Sequence, residues 1–313
     1  ACATASGMAA VSGALLSICE SGSHVVAPRS MYGESARLLR ERLPRLGIET
    51  TFVDDPTPEA YARAATPKTR VFYIESPSNP MLAVADVPGV VAAARAAGAK
   101  TIADNTFATP FCQTPLDLGV DLVVHSMTKA LGGHGDAIGG VIAGGEEDVA
   151  RARDTVVKGF GGVLSPLGAY LIARGIVTFP LRQRRACSTA ARLARALASH
   201  PDVARVHHPS LAPERAQHMH AYGSLLSFEV EGLARGRAVL EHVSRGATVL
   251  THAVSLGDAR TLVTHPATTT HASMPADARE KAGIGDGLLR LSVGLESYAE
   301  LERDLLAALR VRP

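Results

Sequence analysis

The sequence predicts an α/β protein: a mostly parallel central sheet with helices on both faces, followed by a smaller α+β domain. Three observations carry this. Short apolar, β-branched runs alternate with Ala-rich or amphipathic segments through residues 24–143, the pattern of consecutive βαβ units. The texture changes near residue 185, where strands and helices start a second, shorter alternation. The chain has 313 residues, 46% of them hydrophobic and 20% charged, enough apolar material for about two domains. The division is placed at residues 1–184 and 185–313.

The elements follow in order. Ser6-Gly7-Met8 opens an apolar, Ala-rich helix running to Cys19, and Ala1 to Thr4 reads as the approach to it. His24 to Ala27 is a strand, Arg37 to Leu46 an amphipathic helix, Glu49 to Val53 a strand and Pro58 to Ala65 a helix. Arg70 to Glu75 is a buried strand ended by the turn signal Ser76-Pro77-Ser78-Asn79-Pro80. Val87 to Ala97 is helical, and Thr101 to Asp104, Asp121 to Ser126 and Ala137 to Ala143 are strands. A long helix from Arg174 to Leu197 breaks near Pro180. In the second domain, strands at Leu225 to Val230 and Leu288 to Val293 combine with helices at Leu233 to Val243 and Tyr298 to Leu309.

Composition excludes several function classes. Lys and Arg total 32 against 30 Asp and Glu, without the basic excess of a nucleic-acid binder. Aromatics are 4% and Trp is absent, which removes stacking platforms for single strands. No apolar run has the length of a membrane span, about 18–20 residues, and no secretory signal opens the chain. Cys2, Cys19, Cys112 and Cys187 show no C-x-x-C spacing and read as reduced thiols of a cytoplasmic protein. His207, His208, His218 and His220 read as a solvated face, not a metal site, because no H-E-x-x-H or Cys partner accompanies them. P-loop, nucleophile-elbow and dinucleotide fingerprints are absent.

Open parallel sheets bind ligands at the C-terminal strand ends. Polar clusters fall there at Glu75 to Pro80, Asp104 to Thr106 and Ser126 to Lys129. Lysine is scarce, which makes Lys129 easy to single out: a strand, then Ser126-Met127-Thr128, then Lys129 and glycines. In apolar surroundings its amine loses charge and becomes a nucleophile for carbonyls; the ordinary alternative is an exposed lysine. Lys158 is the runner-up without neighbouring hydroxyls. Asp104 closes an apolar strand and reads equally as a helix cap, a metal ligand or the partner of a pyridinium nitrogen. The helix start at Ser6, Gly7 and Met8 suits a phosphate, with Ser126 and Thr128 as further donors, or is plain capping. Tyr32 either stacks on a flat ring or packs in the core. Arg290 either binds a carboxylate with Ser255-Leu256-Gly257 beside it, or faces solvent by strand alternation.

Together these segments resemble the pyridoxal-phosphate enzymes of the cystathionine/methionine transsulfuration family. The likeness rests on Thr4-Ala5-Ser6-Gly7-Met8-Ala9-Ala10, Glu75 to Pro80, Asp104-Asn105-Thr106-Phe107-Ala108-Thr109-Pro110, His125-Ser126-Met127-Thr128-Lys129, Ser255-Leu256-Gly257, His265-Pro266-Ala267 and Arg290-Leu291-Ser292-Val293-Gly294-Leu295-Glu296. The resemblance implies the fold type I architecture of pyridoxal-phosphate-dependent transferases, pyridoxal 5'-phosphate as cofactor, and a homotetramer built from dimers. It implies that Lys129 holds the cofactor and shuttles protons, Asp104 pairs with the ring nitrogen, and Ser6, Gly7, Met8, Ser126 and Thr128 hold the phosphate. Tyr32 stacks on the ring and protonates the leaving group; Asn79 faces cofactor and substrate; Ser255, Thr270 and Arg290 meet the substrate. The activity implied is γ-elimination on a cystathionine- or methionine-type amino acid, giving a thiol, a 2-oxo acid and ammonia. Ala282-Gly283-Ile284-Gly285-Asp286-Gly287-Leu288 and Gly162-Val163-Leu164-Ser165-Pro166 favour elimination over γ-replacement on an O-acylhomoserine, and the intact Lys129 and Asp104 speak against a non-catalytic scaffold. Two departures stand out. The family's N-terminal arm, which carries a Tyr and an Arg toward the neighbouring subunit's phosphate, has no counterpart here, as in a truncated N-terminus. And where methionine γ-lyases have a Cys soon after the stacking Tyr, this chain has Gly33-Glu34-Ser35, an acid near the pocket mouth.

Overall fold

The computed structural model describes residues 1–270, 272, 279 and 283–312. Ala282, the first residue of the motif that favours elimination, lies outside them. In chain order the first half comprises β1 (Cys2–Thr4), α1 (Gly7–Leu16), β2 (His24–Pro28), α2 (Gly33–Arg37), β3 (Glu49–Val53), α3 (Pro58–Ala64), β4 (Thr69–Glu75), α4 (Val87–Ala96), β5 (Lys100–Asp104), α5 (Thr109–Cys112), β6 (Leu122–Ser126) and β7 (Gly140–Gly144). Then come α6 (Glu146–Arg153), α7 (Pro166–Val177), α8 (Phe179–Ala198), β8 (Arg205–His207), β9 (Leu225–Glu229), α9 (Gly232–Gly246), β10 (Thr251–His252), β11 (Leu262–Thr264), β12 (Leu288–Ser292) and α10 (Tyr298–Arg310).

The large sheet has seven strands in the order β1-β7-β6-β5-β4-β2-β3. Strands β3, β2, β4, β5 and β6 are mutually parallel; β7 runs antiparallel to β6, and the edge strand β1 antiparallel to β7. Consecutive residues on the inner strands β2, β4, β5 and β6 are mostly apolar because both faces are covered, whereas the edge strand β3 alternates exposed Glu49 and Thr51 with half-buried neighbours. Val25, Val71, Tyr73, Ile102, Leu122 and Val124 point to a core that includes α1. Their neighbours Val26, Phe72, Ile74, Ala103 and Val123 point to the opposite core, with α3 and α4. Parallel strands end on one side of a sheet, so Glu75, Asp104 and Ser126 finish together. The second sheet, order β10-β11-β12-β9-β8, packs its apolar face on α8, α9 and α10 through Leu193, Leu197, Phe228, Val239, Leu289 and Leu305. The 184/185 division falls inside α8, a continuous helix whose later part, from Ala190, joins that second core.

Four expectations need correction. Residues 2–4 form β1, paired with β7, and are not merely the approach to a helix. The first helix stops at Leu16 rather than Cys19. The helix expected over residues 37–46 begins at Gly33, passes through a π turn and ends as a 3-10 turn over Leu43–Leu46, because Pro44 has no N–H to continue it. The histidine pair at the end of β8 is not a solvated face: His207 Nε2 meets Glu229 at 2.7 Å, and His208 is buried and caps a 3-10 turn through Ser210. The predicted break near Pro180 occurs at Thr178, between α7 and α8, where Pro180 takes a first-turn position that tolerates it.

Candidate active site

A cavity of about 440 Å³ opens where the large sheet's strands end, and the second sheet supplies its remaining wall. Ser6, Gly7, Met8, Tyr32, Asn79, Asp104, Ser126, Thr128, Lys129, Thr270 and Arg290 all line it. Ser255 is in hydrogen-bond contact with two of them: its hydroxyl accepts from Lys129 Nζ at 2.9 Å, and its carbonyl from Arg290 Nη2 at 3.2 Å. The runner-up Lys158 lies on the exposed surface, paired with Asp154 at 2.7 Å.

Lys129 is delivered by a tight turn after β6. Its amide donates to Ser126 O at 3.2 Å, and its carbonyl accepts from Gly133 N at 2.7 Å. The loop carrying Ser255 lies directly on this turn. Gly257 has φ +73°, and a Cβ there would meet Ala130 N at 2.4 Å, so only glycine permits the approach. Burial first, and the neighbouring Arg290 charge second, push the Lys129 amine below its ordinary value of 10.5.

Asp104 and Glu75 are directly opposed in the register of β5 and β4. Glu75 accepts from the backbone amides of Tyr32 at 2.8 Å and Asn79 at 3.1 Å; Asp104 accepts from Thr106 N at 3.0 Å. Burial raises both carboxyls, and the charge of Asp104 raises Glu75 further. Two adjacent enclosed acids call for a cationic group between cavity and sheet.

At α1, Ser6 caps the helix: its hydroxyl accepts from Ala9 N at 3.1 Å and its carbonyl from Ala10 N at 3.0 Å. Gly7 lets this helix end abut β6, since a Cβ there would meet Ser126 Cβ at 2.7 Å. Ser126 and the unpaired first-turn amides of α1 therefore form one donor cluster. Thr128 Oγ1 is within 3.1 Å of Gly139 N and 3.3 Å of Gly139 O, bracing the turn from the other side.

Arg290 does not face solvent. It is 3% exposed, with Nη1 donating to Asn79 Oδ1 at 2.9 Å and Nε without a partner. Burial pulls it down to about 10. Both recorded hydrogen-bond acceptors are neutral, and a buried cation in that state is a receptor for an anion.

Sequence reasoning assigned no role to Glu75, Thr106, Phe107, Ser35, Ile138 and Val254, which also line the cavity. Glu75 was the most legible of these, as an acid ending an apolar strand in the manner of Asp104. Among the described residues, no group of three or more His, Cys, Asp or Glu is arranged to hold a metal ion, and no helix is long and apolar enough to cross a membrane.

These residues fit pyridoxal 5'-phosphate. The donor cluster at α1 and Ser126 suits its phosphate, Asp104 beside Glu75 suits a protonated ring nitrogen, and the Lys129 amine, lowered by burial, suits its carbonyl. The sequence profile described as Cys/Met metabolism PLP-dependent enzyme matches residues 1–310. The chain is 43% identical over 313 residues to cystathionine beta-lyase MetC of Bacillus subtilis, covering 98% of this chain and 79% of that protein. It is 46% identical over 311 residues to L-methionine gamma-lyase of Streptomyces avermitilis, covering 99% and 69% respectively. The structure of cystathionine gamma-lyase from Lactobacillus plantarum complexed with L-serine superposes with TM-score 0.91 at 34% identity, over 99% of this chain and 82% of that one.

Proposed function

The chain belongs to the Cys/Met metabolism PLP-dependent enzyme family, the carbon–sulfur lyases of transsulfuration, and from that premise we propose that it catalyses γ-elimination on a cystathionine- or methionine-type amino acid. The observation that supports this most is the chain of contacts from Arg290 through Ser255 to Lys129. It sets a carboxylate receptor and a base at a fixed separation on one wall of the cavity.

The cofactor, when bound, supplies a carbonyl carbon for the substrate amine and a ring that withdraws electrons. The chain's residues do the rest. Ser6, Gly7, Met8, Ser126 and Thr128 hold the phosphate, and Asp104 keeps the ring nitrogen protonated with Glu75 behind it. Tyr32 lies against the ring. Arg290, Asn79 and Thr270 take the substrate carboxylate, which fixes the Cα–H bond toward Lys129. Lys129 Nζ, lowered in pKa by burial, accepts that proton, passes it back to the conjugated carbon skeleton beside it, and as a neutral amine again accepts a second from Cβ. Ser255 holds the amine in place between transfers. Tyr32 donates a proton to the departing sulfur; burial, first, and then nearby acids raise its hydroxyl pKa and keep that proton available.

β-Elimination is the competing reading, favoured by the 43% identity to a cystathionine beta-lyase. Cystathionine as substrate decides between them. γ-Elimination releases cysteine and 2-oxobutanoate; β-elimination releases homocysteine and pyruvate. Identification of the oxo acid by mass spectrometry therefore tests the proposal, and pyruvate alone overturns it. Product that forms only with O-acylhomoserine and an added thiol would assign γ-replacement instead. We further propose that copies of the chain assemble into a homotetramer. Phe160, Leu167, Tyr170, Val177 and Leu181, all between residues 160 and 181, are each more than 60% exposed, and burying such apolar side chains against other copies would favour assembly. Light scattering of the purified protein checks this.

A further inference from the structure

The cavity is charged unevenly from floor to mouth. Among the described residues lining it, the cations are Lys129 and Arg290, already engaged with Ser255 and Asn79. Toward the rim stands Glu34, in the first turn of α2 and two residues after Tyr32. Its side chain is 57% exposed. Arg37 lies 3.9 Å away, outside hydrogen-bond distance, because its Nε donates to Glu41 at 3.1 Å. Glu34 thus presents to whatever enters a largely exposed carboxylate, ion-paired loosely with Arg37 but not hydrogen-bonded to it. The walls that complete the rim are apolar: Ile138 and Val254 both line the cavity and are 66% and 58% exposed.

We infer that Glu34 is a specificity-determining residue that selects thioether substrates whose leaving thiol carries a protonated amine. This rests on the reading that Arg290 takes the substrate carboxylate, which directs the opposite end of the substrate toward the mouth. The methylene–sulfur segment then lies along Ile138 and Val254, and a distal ammonium meets Glu34. Cystathionine has such an ammonium, and its distal carboxylate turns to solvent, away from the acid. Methionine ends in a methyl group and gains nothing from Glu34. The field of Glu34 also reaches inward, since it helps to raise the Tyr32 hydroxyl after burial has done so.

The test uses a matched pair, S-aminoethyl-L-homocysteine and S-propyl-L-homocysteine, which differ by an ammonium in place of a methyl. The cofactor-loaded wild type and Glu34→Gln and Glu34→Lys variants are assayed on both. The expected result is a fall of about fivefold in the aminoethyl-to-propyl ratio of kcat/KM for Glu34→Gln, the upper end for a solvent-exposed ion pair. The ratio falls further for Glu34→Lys, and KM carries the change. Added salt shrinks the ratio in the wild type and leaves it nearly constant in Glu34→Gln. A ratio unchanged in both variants, or insensitive to salt in all three proteins, overturns the inference while the lyase reading stands. If the wild type turns over neither thioether, the γ-elimination reading falls, since both carry their leaving sulfur on Cγ and a β-lyase would leave them intact. The dissociation constants of the same two compounds, measured by calorimetry, then decide Glu34 by the same ratio.

Discussion

Arg182 on α8 and Arg290 on β12 are both buried, and each reaches Lys129 through one intermediary. Their surroundings differ in what they leave over. Arg182 donates Nε to Thr178 Oγ1, Nη1 to Ala130 O, and Nη2 to both Leu131 O and Gly175 O, all within 3.2 Å. Every nitrogen is committed to the fold. Arg290 has two neutral acceptors and an orphaned Nε at a cavity wall. A buried guanidinium that is fully satisfied by its own chain holds a shape. One that is left incomplete beside an opening is set aside for an anion. The turn that carries Lys129 is thus clamped by a structural arginine from one domain segment and addressed by a receptive one from the other.

The comparison breaks most visibly at Lys129 itself. Replacement by Ala is expected to lower turnover about 10³-fold, as loss of a general base does, while circular dichroism and melting temperature stay at wild-type values. A normally active variant would mean that neither arginine addresses the reacting atoms. Next comes Arg290→Lys. An ammonium cannot reproduce the fork, so kcat/KM should fall about 10- to 100-fold, mostly in KM, with little change in melting temperature. Arg182→Met should invert that pattern. The carbonyls of Ala130, Leu131 and Gly175 lose their donors, so stability drops by about 3 kcal/mol in urea unfolding. Activity at low temperature should fall less than for Arg290→Lys. If Arg182→Met were stable and slow, the distinction between the two arginines would fail.

Much of this was legible before any coordinates. Strand exits are readable from apolar runs ending in polar residues, and these located Asp104, Ser126 and Lys129. What was not legible depends on register and on contacts between distant segments. The pairing of Glu75 with Asp104 exists because β4 and β5 align at those positions, and no local pattern encodes that alignment. The contact of Ser255 with Lys129 spans 126 residues. Arg290 was ambiguous because period-two alternation decides direction only when one strand face is solvated, and β12 is buried along its whole length. The role of Arg182 was invisible for the opposite reason: a polar residue in an amphipathic helix is ordinarily read as its outer face, whereas its partners are backbone carbonyls that sequence does not mark.

The smallest expected effect is a pH slope, and it separates floor from wall. In the cofactor-free protein, burial holds Lys129 below 10.5, so between the folded and unfolded pKa values the unfolded chain binds the extra proton. Stability should then rise with pH across that window. Lys100 runs the other way: its hydrogen bonds to Asp121 and Asp148 raise it above 10.5, and its contribution is lost only as pH climbs through that raised value. Glu75 works from the acid side. Burial and the charge of Asp104 raise it well above 4.5, so the folded state keeps its proton longer, and stability declines as pH rises through that interval. Urea unfolding of wild type, Lys129→Met, Lys100→Met and Glu75→Gln across pH resolves the three. Subtracting the Lys129→Met curve should leave a rising limb that belongs to this amine alone, and the Glu75→Gln difference a falling one at lower pH. A flat difference curve for Lys129→Met would mean that the amine is as well solvated in the fold as in the unfolded chain, and with that the argument for a neutral base at the cavity wall would lose its physical ground.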